Sequence, residues 1–210
     1  MTKEEVLKEY RVREILEAAR RVIGKFGFEG TTIDRVADEA RIAKGTIYLY
    51  FPNGKDELLH SAVVEGLRDL TAELRRCDDP SQTPIARLAS MVRAMFTIQR
   101  NHQDFFKALI LDSRFVAFEP GDARETELRN VYIEALECVA DLLRVAIADR
   151  AIRPIEPQLA AVTLFEMMTA PLRRSLLGLA GAPTDADAEA VMELFLYGVR
   201  DARPSGNGNA

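Results

Sequence analysis

The fold follows from residues 31–59, which read TTIDRVADEARIAKGTIYLYFPNGKDELL. The two threonines at the start can cap a short helix, because a threonine hydroxyl accepts a hydrogen bond from the backbone N–H groups of the first turn. Apolar residues then recur at three- and four-residue steps over 33–40, which gives that helix one buried side. A tight connection at 41–42 leads to another short helix over 43–51, which ends at Pro52. The stretch predicts two short helices joined by a tight turn.

A longer helix is predicted on each side of this pair. Over residues 5–26 the apolar side chains form one stripe, and Gly27 suits the left-handed position that ends a helix. Lys55 opens a helix that reaches about Arg76. Three helices with a turn of three to four residues between the second and the third form the helix-turn-helix arrangement.

The third helix has two different sides on a helical wheel. Its apolar side consists of Ile47, Tyr50 and Phe51. Its opposite side consists of Lys44, Gly45, Tyr48 and Leu49, with Thr46 at the flank. A helix that enters the major groove of DNA needs this division, with apolar anchors behind and hydrogen-bond donors in front. The periodicity alone also fits an ordinary three-helix core, so both interpretations stay open on this observation.

A family resemblance favours DNA binding. The runs TTIDRVADEA (31–40), KGTIYLYF (44–51) and KDELL (55–59) resemble, in order and spacing, the signature of the TetR family of bacterial regulators. The resemblance covers about residues 10–60. It implies that Thr32 binds a phosphate at the start of the second helix, and that Tyr50 and Lys55 contact the DNA backbone. It also implies that five residues face the groove: Lys44, Gly45, Thr46, Tyr48 and Leu49.

Two positions depart from the pattern of the family. Arg41 stands in the turn where members commonly have glycine, so it must accept a positive φ or change the turn. Ala43 replaces the usual serine at the cap of the third helix, which forfeits a capping hydroxyl worth about 1 kcal/mol. It also forfeits one phosphate contact. Both changes bear on how the third helix docks.

The rest of the chain predicts longer helices after a linker at 77–84. They are expected over 85–100, 103–111, 121–151, 156–179 and 184–202, which makes about nine helices in all. Pro171 should kink or split the eighth. Because no strand-type alternation occurs, the predicted class is all-α, with a helix-turn-helix DNA-binding domain over 1–54 and a larger helical effector-binding and dimerisation domain over 55–202. The polar, glycine-rich residues 203–210 are expected to be disordered.

The resemblance also implies a small-molecule pocket in the larger domain and a homodimer. Methionine and aromatic side chains suit a pocket for varied apolar compounds. The residues expected to line it are Met91, Met95, Phe96, Phe105, Phe106, Leu109, Tyr132, Phe165 and Met168. Those expected at the dimer interface, on the last two helices, are Leu164, Leu172, Leu176, Val191, Leu194, Phe195 and Gly198. The expected protein is a repressor that a small apolar effector releases from a palindromic double-stranded operator.

Composition sets the remaining expectations. Residues 1–60 carry 11 basic and 11 acidic side chains, so the rest of the chain holds the whole net charge of −5 and a neutral head can meet phosphate. No apolar run is long enough to span a membrane, no secretory layout opens the chain, and the two cysteines lie far apart. We therefore expect a cytoplasmic protein with no membrane partner.

Catalysis is not expected. No P-loop, dinucleotide turn, nucleophile elbow or paired-histidine zinc motif occurs, and His60 and His102 are isolated in the sequence. We therefore expect no enzyme activity, no metal and no cofactor. Two alternatives stay open. One is a DNA-binding factor without a small-molecule effector, and the other is a helical ligand carrier or enzyme whose first helices are only scaffold.

Overall fold

The computed structural model describes residues 2–112 and 123–199, and within those ranges it contains nine α-helices and no β-strand. The helices are α1 (Lys3–Gly30), α2 (Ile33–Ala40), α3 (Lys44–Tyr50), α4 (Lys55–Arg76), α5 (Pro84–Asn101), α6 (Gln103–Leu111), α7 (Ala123–Ala148), α8 (Pro157–Leu176) and α9 (Asp185–Val199). The predicted all-α class and its helix-turn-helix start are confirmed. We call α1–α3 the head.

The first helix bends where the sequence predicts that it ends. Gly27 has φ +69° and ψ 175°, and one further helical turn follows it as far as Gly30. The buried Thr31 hydroxyl donates to the Gly27 carbonyl at 2.7 Å. Phe28 is buried against the head, so the chain folds back over the last turn as its apolar side chain requires.

The turn between α2 and α3 has a positive φ at Arg41, which is one of the two outcomes expected for an arginine at this position. Arg41 has φ 56° and ψ 45°, in the left-handed region, and its N–H donates to the Asp38 carbonyl at 3.1 Å. For a residue with a Cβ this conformation costs about 1–2 kcal/mol. Ala43 precedes α3 without a side-chain cap, as its methyl group dictates. Both departures are therefore absorbed without a change of fold.

Two apolar cores lie along α4. The first joins α1, α2 and α3 to the first half of α4, and it also takes in Phe105 of α6. The second joins α5, α7, α8 and α9 to Leu70 and Leu74 in the second half of α4. Leu67 packs against both cores. Because α4 belongs to both, the proposed division of the chain after residue 54 stays a prediction.

The eighth helix is not split at Pro171. That residue is buried inside α8, which continues to Leu176. The helix ends before the predicted residue 179 because Gly178, with φ +70°, takes the left-handed position after it. The Leu179 N–H then donates to the Arg174 carbonyl at 3.0 Å. The glycine was present in the sequence as a stop signal.

Some expectations fall on residues that the structure does not describe. The predicted first residues of the seventh helix, 121–122, and last residues of the ninth, 200–202, lie outside the described residues. So does the whole of the predicted disordered tail, 203–210. Among the helices described, none is long and apolar enough to cross a membrane.

Candidate nucleic-acid interface and cavity

The outer face of α3 is formed by the residues that the wheel predicts. Ile47 is fully buried against the head, whereas Tyr48 is 44% and Leu49 80% exposed. Lys44 and Gly45 are exposed as well, and Thr46 is half-buried. A methyl group added to Gly45 would meet nothing within 4 Å, so the backbone there is open to a close approach. These four exposed residues with Thr46 are called the α3 face below.

One cation of the α3 face is paired within the head. The Lys44 ammonium lies 2.8 Å from the Asp34 carboxylate at the start of α2. That hydrogen bond raises the pKa of Lys44, so the ammonium stays charged at neutral pH. The pair joins the first turns of the two helices that flank the tight turn.

The other predicted DNA contacts lie around the α3 face. Thr32 caps α2 with its hydroxyl, which accepts a hydrogen bond from the Arg35 N–H at 3.3 Å and keeps its own hydrogen for an outside acceptor. The Lys55 ammonium donates to the Glu29 carbonyl at 3.1 Å. Tyr50 is half-buried and packs against the first core. Tyr50 therefore combines an apolar anchor with an exposed part.

Salt bridges hold the helices of the head together. Glu39 of α2 accepts hydrogen bonds from Arg21 at 2.7 Å and Lys25 at 2.8 Å, both on α1. The bond from Lys25, followed by that from Arg21, holds the pKa of Glu39 below its ordinary value. On the same helix pair, the Arg35 guanidinium lies 4.1 Å from the centre of the Phe26 ring, which is a cation–π contact. These contacts hold α1 and α2 together.

A cavity of about 360 Å³ lies between α4, α5, α6, α7 and α8. Five of the predicted residues line it: Met95, Phe106, Leu109, Tyr132 and Phe165. Four others, namely Met91, Phe96, Phe105 and Met168, are buried in the cores and do not line it. Their apolar periodicity could not separate them from the lining residues, because a cavity wall and a packed core need the same residue types.

The lining contains residues that the sequence did not single out. Val63, Leu67 and Leu70 bring the middle of α4 to the cavity wall. Four polar side chains also line it: Gln99, Glu166, Thr169 and Arg173. The sequence did contain a signal for the α4 residues, because the apolar stripe of α4 is longer than packing against the head requires.

Inside the cavity, two rings meet edge to face. Tyr132 and Phe165 have centroids 6.2 Å apart and planes at 81°. Burial raises the pKa of Tyr132, so its phenol is neutral at physiological pH. The aromatic pair and the neighbouring aliphatic residues make the wall mainly apolar.

The cavity is connected to the head by α7, whose Leu128 lines it and belongs to the first core, and by two further helices. The first is α4, through Leu67, which packs against both cores. The second is α6, which lies directly on α1 at Gly24. A Cβ at that glycine would lie 3.0 Å from both the Asp104 Cβ and the Phe105 backbone nitrogen. A side chain at this position would require α6 to shift by a few tenths of an ångström, so α6 and α1 are tightly packed there.

The predicted dimer residues do not form one surface. Leu164 and Leu172 are fully buried, and Val191 and Phe195 are nearly so, all within this chain's own core. Their side chains therefore have no surface left for a partner, which corrects that part of the prediction. Leu172 lines the cavity.

Two predicted dimer residues keep exposed surface. Leu194 is 66% exposed, and Leu176 is half-buried. Gly198 lies in α9, but its surroundings are outside the described residues. Other exposed apolar side chains on these two helices are Leu159, Val162 and Tyr197.

Comparisons with known proteins agree with this geometry. The model of the family described as bacterial regulatory proteins, tetR family, matches residues 15–62. The HTH-type transcriptional regulator YhgD of Bacillus subtilis is 26% identical over 163 residues, which are 76% of this chain and 81% of that protein. The regulator BetI of Burkholderia mallei is 38% identical over 91 residues, but these span only 43% of this chain and 46% of BetI.

Solved structures share the fold over most of the chain. A protein described as a fatty acid metabolism regulator of Clostridium perfringens superposes with a TM-score of 0.73 at 26% identity, covering 90% of this chain and 99% of that one. The regulator FadR of Bacillus subtilis, solved in complex with stearoyl-CoA, superposes with a TM-score of 0.76 at 20% identity and the same coverage. The likeness therefore extends beyond the head to the helices around the cavity.

Proposed function

Because this chain belongs to the TetR family of bacterial transcription regulators, we propose that it is a repressor that binds a palindromic operator as a homodimer. We further propose that a small apolar effector in the cavity releases it from the DNA. The observation that carries the proposal is the α3 face, where Tyr48 and Leu49 stand exposed over the buried Ile47. Large apolar and aromatic groups on such a short exposed helix face are available to a macromolecular partner.

DNA binding follows from the chemistry of that face. Gly45 lets the α3 backbone approach the groove, and the Tyr48 hydroxyl can hydrogen-bond to base edges or phosphates. Thr32 and Lys55 supply donors for phosphates on either side. Repression then needs no catalysis, because a bound protein competes with polymerase for the same DNA.

The homodimer is supported by exposed apolar residues on the last two helices. Leu159, Val162, Leu194 and Tyr197 are between 38% and 68% exposed. A two-fold axis would bring the same surface of each copy together, which buries these side chains without a second kind of interface. Two heads in one dimer read successive major-groove faces when their recognition helices are about 34–36 Å apart.

Effector release is supported by the position of the cavity. A ligand against Leu67 would push α4, and a ligand against Phe106 or Leu109 would push α6. Either movement reaches the head and changes the spacing of the two recognition helices. A ligand that prefers the released state by about 1–3 kcal/mol lowers operator affinity roughly 5–150-fold. FadR, which shares the fold, was solved in complex with stearoyl-CoA, and the apolar acyl chain of that molecule supports an effector with an apolar part.

Selection from random double-stranded DNA tests the proposal. We expect an enriched pseudo-palindromic site, bound with an affinity that falls steeply with salt because phosphate contacts release counterions. Recovery of no enriched site at low salt would contradict it. A panel of apolar compounds then tests the effector. Compounds that raise the melting temperature but leave operator affinity unchanged would favour a DNA-binding factor without a small-molecule effector.

A further inference from the structure

Gln99 is the one polar side chain of α5 that lines the cavity, and it is fully buried. Its Nε2 donates to the Met168 backbone carbonyl at 3.2 Å. This bond fixes the orientation of the amide, because the opposite orientation would place two acceptor oxygens against each other. Oε1 is therefore the amide atom left to face other groups.

The Gln99 Oε1 atom is buried, and among the residues that the structure describes no group donates a hydrogen bond to it. Buried acceptors in proteins nearly always have a donor, since they lose their hydrogen bonds to water on burial. A leucine at this position would fill similar space beside Met95 and Phe165 at no such cost. The glutamine thus places a specific, unsatisfied acceptor beside the cavity.

We propose that the effector carries a hydrogen-bond donor, a hydroxyl or an amide N–H, that binds Gln99 Oε1. The donor would sit on an apolar body packed against Met95, Leu128 and Phe165, which also line the cavity. The proposal rests on the effector site of the proposed function and names the class of ligand. It favours alcohols, hydroxylated lipids and amides over hydrocarbons, ethers and esters, which offer no donor.

The charged groups at the cavity do not select a charge on the ligand. Glu166 and Arg173 are both exposed, one acidic and one basic, and they lie on one side of α8 with Thr169 between them. A charged or polar end of a ligand can therefore be accommodated where solvent reaches the cavity. The buried Gln99 lies on the wall away from solvent, so the selected donor belongs to the enclosed part of the ligand.

Matched probes test this class. Isothermal calorimetry on the full-length protein without DNA would compare the primary alcohols from hexanol to dodecanol with their methyl ethers, which keep an acceptor but lack a donor. We expect the best alcohol to bind at least about 10-fold more tightly than its ether, because the ether leaves Oε1 unsatisfied. Equal affinities, or no binding by any probe, would overturn the proposal.

A variant assigns the preference to the residue. In Gln99→Leu the alcohol and the ether should bind with equal affinity, whereas Gln103→Leu on α6, outside the cavity lining, should keep the wild-type preference. Persistence of the preference in Gln99→Leu would overturn the assignment. If that variant does not fold, Gln99→Met and the wild-type comparison provide the same test. Operator binding is measured separately, so a failure of these probes is distinct from a failure to bind DNA.

Discussion

The Lys44 ammonium lies 2.8 Å from the Asp34 carboxylate, which joins the first residue of α3 to the second residue of α2. The pair braces the tight turn, but it also places an anion beside the surface that we propose meets phosphate. Lys44 is therefore shared between an intramolecular partner and DNA. An experiment can separate the contribution of this pair to the turn from its effect on DNA binding.

Replacing Asp34 with asparagine should tighten binding to every DNA sequence by a few-fold at low salt. The change removes a negative charge from the DNA side of the head and frees Lys44 for phosphate. Titration of operator and scrambled duplexes would measure the gain. Asp141→Asn on α7, where the carboxylate pairs with Arg144, is the matched control and should change neither affinity. Weaker binding by Asp34→Asn would mean instead that the pair positions Lys44 for its contact.

A pair of glycine substitutions separates packing from DNA contact. Gly24→Ala should destabilise the protein by about 1–3 kcal/mol, because its Cβ would lie 3.0–3.1 Å from backbone atoms of α6 and would force the two helices slightly apart. Gly45→Ala, in open space, should instead stabilise the free protein by about 0.5–1 kcal/mol through its higher helix propensity. The same Gly45→Ala should weaken operator binding. Chemical denaturation and DNA titration would check both, and a Gly45→Ala variant with unchanged operator affinity would remove that residue from the interface.

The sequence predicts the features that depend on neighbouring residues, but not those that depend on contacts between helices far apart in the chain. The two sides of α3 follow from local periodicity, and Arg41 takes the left-handed conformation that its place in the turn requires. The cavity differs because it depends on where helices far apart in sequence meet. Met95 and Met91 are four residues apart on one helix, yet only Met95 lines the cavity. Gln99 has no sequence signal at all, since its role comes from Met168 on another helix.

A test of the dimer must leave this chain's own core intact. Removing the chain from residue 184 onward would delete Val191 and Phe195 from this chain's own core, so loss of dimers would not identify an interface. Leu194→Glu is the sharper change, because Leu194 is 66% exposed and contributes little to the monomer core. We expect a folded monomer by analytical ultracentrifugation. Operator affinity should fall roughly 100-fold or more, since the heads no longer bind together.

Leu7→Glu provides the control for the dimer. Leu7 is 65% exposed on the first turns of α1, far along the chain from the proposed interface. This variant should remain dimeric. A Leu194→Glu protein that sediments as the wild-type dimer would place the interface on other residues.

The head should also lose stability in acid. Because Lys25 and Arg21 hold the pKa of Glu39 below its ordinary value of 4.5, the carboxylate stabilises the folded state fully above about pH 4.5. That stabilisation disappears as the pH falls through the lowered pKa. Glu39→Gln should therefore cost about 1 kcal/mol or less at pH 7, and the difference from the wild type should shrink below pH 4.5. A difference that does not depend on pH would contradict the role of this carboxylate.

The central claim, that the α3 face reads DNA, is tested most directly by measuring operator and scrambled-duplex affinities across a salt series for the wild type, Tyr48→Ala and Lys55→Ala. For Lys55→Ala we predict equal weakening on both duplexes and a salt slope smaller by about 1, as loss of a phosphate contact requires. Tyr48→Ala should weaken binding to the operator more than binding to the scrambled duplex. The difference between the two binding free energies should therefore narrow by about 1–3 kcal/mol. A wild-type protein that binds both duplexes equally at every salt concentration would contradict the claim.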